Sequence, residues 1–302
     1  TSKDVNFNDL GLVVVDEEQR FGVAVKERLK KIRVHVDILT LSATPIPRTL
    51  HFSLIGIRDM SLINTAPNDR LPIHTCIEPW DTQVIREAIE RELSREGQVF
   101  FLHNRVQTIA RTAALVKKLV PKARVGIGHG QMAKHELEEV MTAFISKKID
   151  VLVCTTIIGS GIDIPNANTI VVDRADTFGL GELYQIRGRV GRYKHRAFAY
   201  LLIPGDKALS EEAQQRLKAL EDFSSLGSGF RIAMRDLEIR GCGNILGGEQ
   251  SGNIASVGYE TYKDLIAEAV AEHQGQPIRK RNLPPFDLQI DTFIPDTYIP
   301  TT

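Results

Sequence analysis

The 302 residues, 42% hydrophobic and 25% charged, suffice to bury about two cores of ordinary domain size. Thirty-eight Lys and Arg balance 38 Asp and Glu, which excludes nucleic-acid binding through bulk positive charge and confines any such surface to a local patch. Cys76, Cys154 and Cys242 form no CxxC pair, so neither a disulfide framework nor a zinc site is expected, and no apolar run approaches the roughly 20 residues of a membrane helix.

Leu12 to Val15 is the first run of strand length and Asp37 to Thr40 the second. Two runs are too few to close a sheet, so the segment up to about Ile63 is expected to be the tail of a domain, and the chain a piece of something longer. Directly after the first run, Asp16, Glu17, Glu18 and Gln19 place carboxylates where ligands of open α/β sheets collect. Mg²⁺ prefers a carboxylate with waters and phosphate oxygens, and a second acid can orient an attacking water; ordinary loop acids read the same in isolation. The second run leads into Leu41-Ser42-Ala43-Thr44-Pro45-Ile46-Pro47, whose hydroxyls and proline turns suit a rigid link between a nucleotide site and a second ligand site, or a helix cap.

Pro67, Pro72 and Pro79 punctuate the stretch from Asn64 to Asp81, where a domain boundary is expected. Beyond it, strand-like runs over Gln98 to Leu102, Arg124 to Ile127, Val151 to Cys154, Thr169 to Val172 and Ala197 to Ile203 alternate with apolar residues at three-to-four spacing over Thr82 to Arg95, Arg105 to Val120 and Lys134 to Ser146. That rhythm predicts βαβ units, hence a mostly parallel sheet with helices on both faces. Gly126-Ile127-Gly128-His129-Gly130 lacks the GxGxxG spacing of a dinucleotide site, and His135-Glu136 has Glu139 where a zinc site needs its second His. Tyr184 through Arg192 gathers Arg187, Arg189 and Arg192 among glycines; Ile186 and Val190 would anchor this segment to the sheet and aim the arginines at the domain edge, where one could reach a γ-phosphate. After Pro204 the strands stop: Ser210 to Ser224 and Phe230 to Ile239 read as two helices, and the end from Pro284 to Thr302 as an extended linker.

Asp16-Glu17-Glu18-Gln19, Ser42-Ala43-Thr44, Gly161-Ile162-Asp163-Ile164-Pro165 and Gln185 through Arg192 resemble, in that order, motifs II, III, V and VI of superfamily 2 helicases and translocases. Arg20-Phe21-Gly22-Val23, Thr44 through Thr49, and Gly229 to Gly241 with Leu246 to Gly252 are similar to the branch shared by RecG and the transcription-repair coupling factors, the last pair resembling that branch's translocation hairpin. Ile57 to Ser61 and Asp236 to Arg240 look closer to the coupling factors. The resemblance covers essentially the whole chain. It implies an α/β fold: the tail of a first RecA-like domain over 1–66, a second RecA-like domain with a parallel sheet between helices over 67–205, the helical hairpin over 206–256, and a helix and linker toward a regulatory last domain over 257–302.

The same resemblance implies ATP and Mg²⁺ as cofactors, with Asp16 on the metal, Glu17 polarising water, and Arg189 and Arg192 as arginine fingers. It implies that Gln19, Ser42, Thr44, Gly161, Asp163 and Gln185 couple nucleotide state to domain closure, and that Asn104, Arg105, His129, Gly130, Thr155 and Thr156 sit where such motors touch DNA. Contacts of that kind go to phosphate and are sequence-independent and salt-sensitive. Arg240 and Gln250 in the hairpin are the residues expected to turn closure into a step along duplex DNA. The implied protein is a monomeric, ATP-dependent double-stranded DNA translocase of the bacterial cytoplasm. It displaces stalled RNA polymerase and promotes nucleotide excision repair, meeting polymerase and repair proteins through domains outside these residues, with no membrane partner. Two departures stand against this pattern. GxxxxGK[ST], the phosphate-binding loop, does not occur, so the chain alone is expected not to hydrolyse ATP; and Gly159-Ser160 replaces an acidic residue and a Thr in motif V, removing a charge and loosening the loop. The alternatives are a RecG-like fork remodeller and a non-catalytic lobe that binds DNA or protein.

Overall fold

Phe100, Leu102, Leu152 and Cys154 face one layer of buried side chains while Val99, Phe101, Val151 and Val153 face another, the two-residue period of strands covered on both sides. The computed structural model describes residues 9–17, 21–32, 36–44, 60–63, 65, 71–156, 164–191, 195–205, 208–225 and 227–240. The elements run β1 (Leu12–Asp16), α1 (Val23–Ile32), β2 (Asp37–Leu41), β3 (His74–Pro79), α2 (Thr82–Ser94), β4 (Gln98–Leu102), α3 (Val106–Leu119), β5 (Val125–Gly128), α4 (Lys134–Ile145), β6 (Val151–Cys154), β7 (Ala167–Val172), α5 (Leu180–Arg187), β8 (Phe198–Ile203), α6 (Glu211–Asp222) and α7 (Gly229–Arg240).

β1 and β2 pair in parallel as a sheet of two strands, and the remaining six form a second parallel sheet in the order β3-β8-β7-β4-β6-β5. Helices α2 and α3 pack on one face through Ile85, Ile89, Ile109 and Val116. On the other face α4, α5, α6 and α7 bring Phe144, Leu183, Leu217, Leu220 and Ile232 to the sheet. This is the expected α/β fold of RecA type. The fully buried Glu92 on α2 accepts from the Arg95 guanidinium and from the Thr169 hydroxyl on β7, so the carboxylate carries its own partners into the core.

Strand limits agree with the sequence to within two residues, with one difference of substance. β3 lies inside the proline-punctuated stretch expected to hold the boundary. It takes the end of the sheet order, where Pro79 can close the strand because one side of an edge strand needs no ladder partner. Asp81 then caps α2, its carboxylate accepting from the Gln83 N–H at 2.8 Å.

Candidate functional site

β1 ends by delivering Asp16, exposed, and then Glu17, whose φ of 50° places a non-glycine residue in the left-handed region. Strain of that kind, about 1–3 kcal/mol, persists where surrounding contacts hold it. Here the Glu17 N–H donates to Leu41 O at 3.0 Å, and both carboxylate oxygens are engaged. Oε1 accepts from the Ala43 N–H at 3.3 Å, and Oε2 from Gln185 Nε2 at 2.9 Å. Gln185 Nε2 also donates to Thr44 Oγ1 at 3.0 Å, and Ser42 Oγ closes the turn by donating to Thr44 O at 2.9 Å. Thus β1 and the turn after β2 are joined at one carboxylate by α5, which lies 141 to 168 residues further along the chain.

α5 starts after Gly179 and buries Leu180, Leu183 and Ile186 against the sheet, which turns Gln185 toward β1. Arg187 corrects the expectation of three arginines aimed outward. It is buried, donating to Leu220 O at 2.7 Å and Phe223 O at 2.8 Å at the C-terminal end of α6, with its guanidinium 5.1 Å from the Tyr184 ring. Burial pulls its pKa below the usual arginine value, with Tyr184 acting the other way. Arg187 therefore fastens α5 to α6. Arg189, half-buried, lines a cleft with Thr155, Thr156, Glu182, Gln185 and Ile186.

The adjacent ends of β4, β6 and β5 set the expected DNA contacts in a row. Leu102 pairs with Cys154 and Cys154 with Gly128, so Asn104 and Arg105, Thr155 and Thr156, and His129 and Gly130 follow three neighbouring strands on one edge. The Thr156 hydroxyl donates to Asn104 Oδ1 at 3.4 Å, and the Thr155 N–H donates to Gly128 O at 3.3 Å. Asn104, Arg105 and Gly130 are exposed, Thr156 and His129 half-buried, and Thr155 buried.

Two residues here escaped the sequence reading. His103, which precedes Asn104, holds Asp173 Oδ2 2.6 Å from its Nδ1 and Thr108 Oγ1 2.7 Å from its Nε2. The carboxylate selects the tautomer with hydrogen on Nδ1, and the ring ties the end of β7 to the first turn of α3. The only sequence signal was a His and an Asp at two strand ends, and their adjacency follows from sheet order.

Gln19, Gly161, Asp163, Arg192 and Gln250, with Gly159 and Ser160, lie outside the described residues; Arg240 ends α7, and its side chain lies outside them as well. No group of three His, Cys, Asp or Glu side chains gathers as a metal cage among the described residues. A lone exposed Asp16 at a strand end fits Mg²⁺, which is commonly held by one or two carboxylates together with substrate phosphates. No helix among the described residues is long and apolar enough to cross a membrane.

The model of the helicase conserved C-terminal domain matches residues 82–194. The transcription-repair-coupling factors of Myxococcus xanthus and Bacillus subtilis are 55% and 52% identical over 296 and 299 residues, covering 98% and 99% of this chain. The chain spans about a quarter of the length of these curated relatives, 25% in each case. RecG, in its structure bound to a three-way DNA junction, superposes with a TM-score of 0.64 at 34% identity, over 87% of this chain and 34% of that one. S. cerevisiae Dbp5 bound to RNA and ADP BeF3 shares the fold, with a TM-score of 0.52 at 16% identity over 70% of this chain and 57% of that one. Nearly end to end and at about half identity, the chain is similar to a quarter of the length of the transcription-repair-coupling factors, and at 34% identity it is similar to RecG.

Proposed function

We propose that this chain is part of an ATP-driven double-stranded DNA translocase of transcription-coupled repair. The observation that carries the reading is the side chain of Gln185 donating at once to Glu17 and Thr44, which joins motifs II, III and VI across two separate sheets. ATP, when bound with Mg²⁺, supplies the phosphoryl group whose hydrolysis drives the cycle. Asp16 would hold the metal. Glu17 orients water through lone pairs left on oxygens that Ala43 and Gln185 already fix in plane. Arg189 and Arg192 supply positive charge to the phosphates in the transition state. Gln19, Gly161 and Asp163 complete the coupling set with Ser42 and Thr44.

The edge formed by Asn104, Arg105, His129, Gly130, Thr155 and Thr156 takes the phosphate backbone of duplex DNA, and Arg240 and Gln250 pass closure on as a step. The full protein then works as a monomer in the bacterial cytoplasm, pushing stalled RNA polymerase forward and recruiting excision repair through other domains. The likeness to RecG over 87% of the chain favours one second reading, a fork remodeller.

The test is ATP hydrolysis and displacement of a third DNA strand from duplex by the full-length protein. Duplex-stimulated hydrolysis with displacement is expected. Hydrolysis stimulated by branched DNA and not by linear duplex would move the assignment to fork remodelling, and DNA binding without hydrolysis to a non-catalytic lobe.

A further inference from the structure

The hairpin's second helix starts against the main chain of the turn that holds Glu17. A methyl group placed on Gly229 would lie 2.0 Å from Ala43 O and 3.2 Å from Ala43 C, with Tyr184 Cε1 at 3.6 Å. Real Cβ atoms do not approach so closely, and the obstacle is backbone, which cannot swing aside like a side-chain tip. Gly229 is not among the positive-φ glycines, which in the described residues are Gly191 and Gly227. Position 229 therefore needs glycine for room alone.

The other side of Ala43 faces the catalytic carboxylate, since its N–H donates to Glu17 Oε1. One residue is thus clasped between the acid expected to orient water and the first residue of α7. A movement of this turn meets α7 with no slack, because main chain already rests on main chain and packed interiors transmit strain. We propose that Gly229 is a positioning residue: its bare main chain lets α7 register the position of the Ala43 turn, so that the hairpin follows the nucleotide site directly, in addition to its link through Arg187. This rests on the motor reading above.

The experiment uses the full-length protein as wild type, Gly229→Ala and Gly181→Ala. At Gly181 an added methyl meets only Thr44 Oγ1 at 3.9 Å, an ordinary contact, so this variant serves as the control. Alanine favours helix over glycine, so weakened helix formation cannot explain a defect at 229. Hydrogen exchange over residues 229–233, affinities for ADP and for a non-hydrolysable ATP analogue, and strand displacement per ATP consumed are measured.

In the wild type, exchange in the first turn of α7 is expected to slow about tenfold or more with the analogue relative to ADP, a coupling of ordinary size. Gly229→Ala is expected to abolish that difference, to lose about tenfold in affinity for the analogue with ADP affinity unchanged, and to displace about tenfold less strand per ATP. Gly181→Ala should behave as wild type. A Gly229→Ala protein that keeps nucleotide-dependent exchange and displacement overturns the proposal while leaving the motor reading intact. Wild-type exchange that is identical with both nucleotides overturns it too, whether or not the variant folds. A wild type that hydrolyses no ATP on duplex DNA sinks the motor reading, and this inference with it.

Discussion

Glu17 sits where backbone strain, two lobes and the expected chemistry coincide. Its left-handed φ is held by the Leu41 carbonyl and by donors from Ala43 and Gln185, so the carboxylate is pre-aimed before any ligand arrives. In the full-length protein, Glu17→Gln is expected to lower ATP hydrolysis by about 10²–10⁴-fold while nucleotide binding persists, as loss of a group that handles the proton of water does. A steady-state assay beside a nucleotide titration checks it. At the C-terminal ends of β4 and β7, Asp173→Ala leaves the His103 Nδ1–H without its acceptor in a nearly buried place, at an expected cost of about 1–3 kcal/mol read by urea unfolding. A cost near zero would show that water takes over the aspartate's part.

Helix α5 makes links in two directions because its faces do different work. Leu180, Leu183 and Ile186 seat it on the sheet, Gln185 reaches β1 and the turn after β2, and Arg187 reaches the last turn of α6. A cation at a helix C-terminus satisfies carbonyls that lack intrahelical partners and complements the helix dipole. Arg187→Met should remove those donors from Leu220 and Phe223 and cost about 1.5–3 kcal/mol, the range for hydrogen bonds to charged groups. Faster hydrogen exchange confined to α6 and α7 would locate the loss there; a change spread evenly over the sheet would argue that Arg187 supports the whole core instead.

At the scale of the molecule, the two sheets differ in how their strands are covered. β4 is buried at all five positions between β7 and β6, whereas Leu12 and Val14 of β1 and Leu39 and Leu41 of β2 are 43–56% exposed on a sheet of two strands. A two-stranded sheet is marginal by itself. In the 302-residue chain, amides of β4 and β7 are expected to exchange at least about 100-fold more slowly than those of β1 and β2, because core strands open only on global unfolding. Cys154 reports the same property chemically. Burial pushes its thiol up to about 12, so at pH 8 alkylation should wait for unfolding and rise with urea along the global transition, while the half-buried Cys76 labels earlier. Stability linked to this thiol is fully present below its unfolded pKa near 9 and is lost as pH climbs toward about 12.

The amino-acid sequence by itself determined the local periods and the order of the motifs. Apolar runs bounded by turn residues marked β4, β6 and β7, three-to-four spacing marked α2, α3 and α4, and short strings such as Asp16-Glu17 and Gln185 through Arg192 carried the family resemblance. Those signals live within ten or so residues of chain, where steric and hydrophobic preferences act directly. Sheet order, and with it the meeting of His103 with Asp173, came only from tertiary structure, because strands far apart in sequence are paired by packing. So did the inward turn of Arg187, which depends on carbonyls left open at the end of α6, and the need for glycine at 229, which depends on one main-chain oxygen from a turn 186 residues away. Nothing in the spacing of Gly229 marks it, since a requirement for space is a property of what lies opposite.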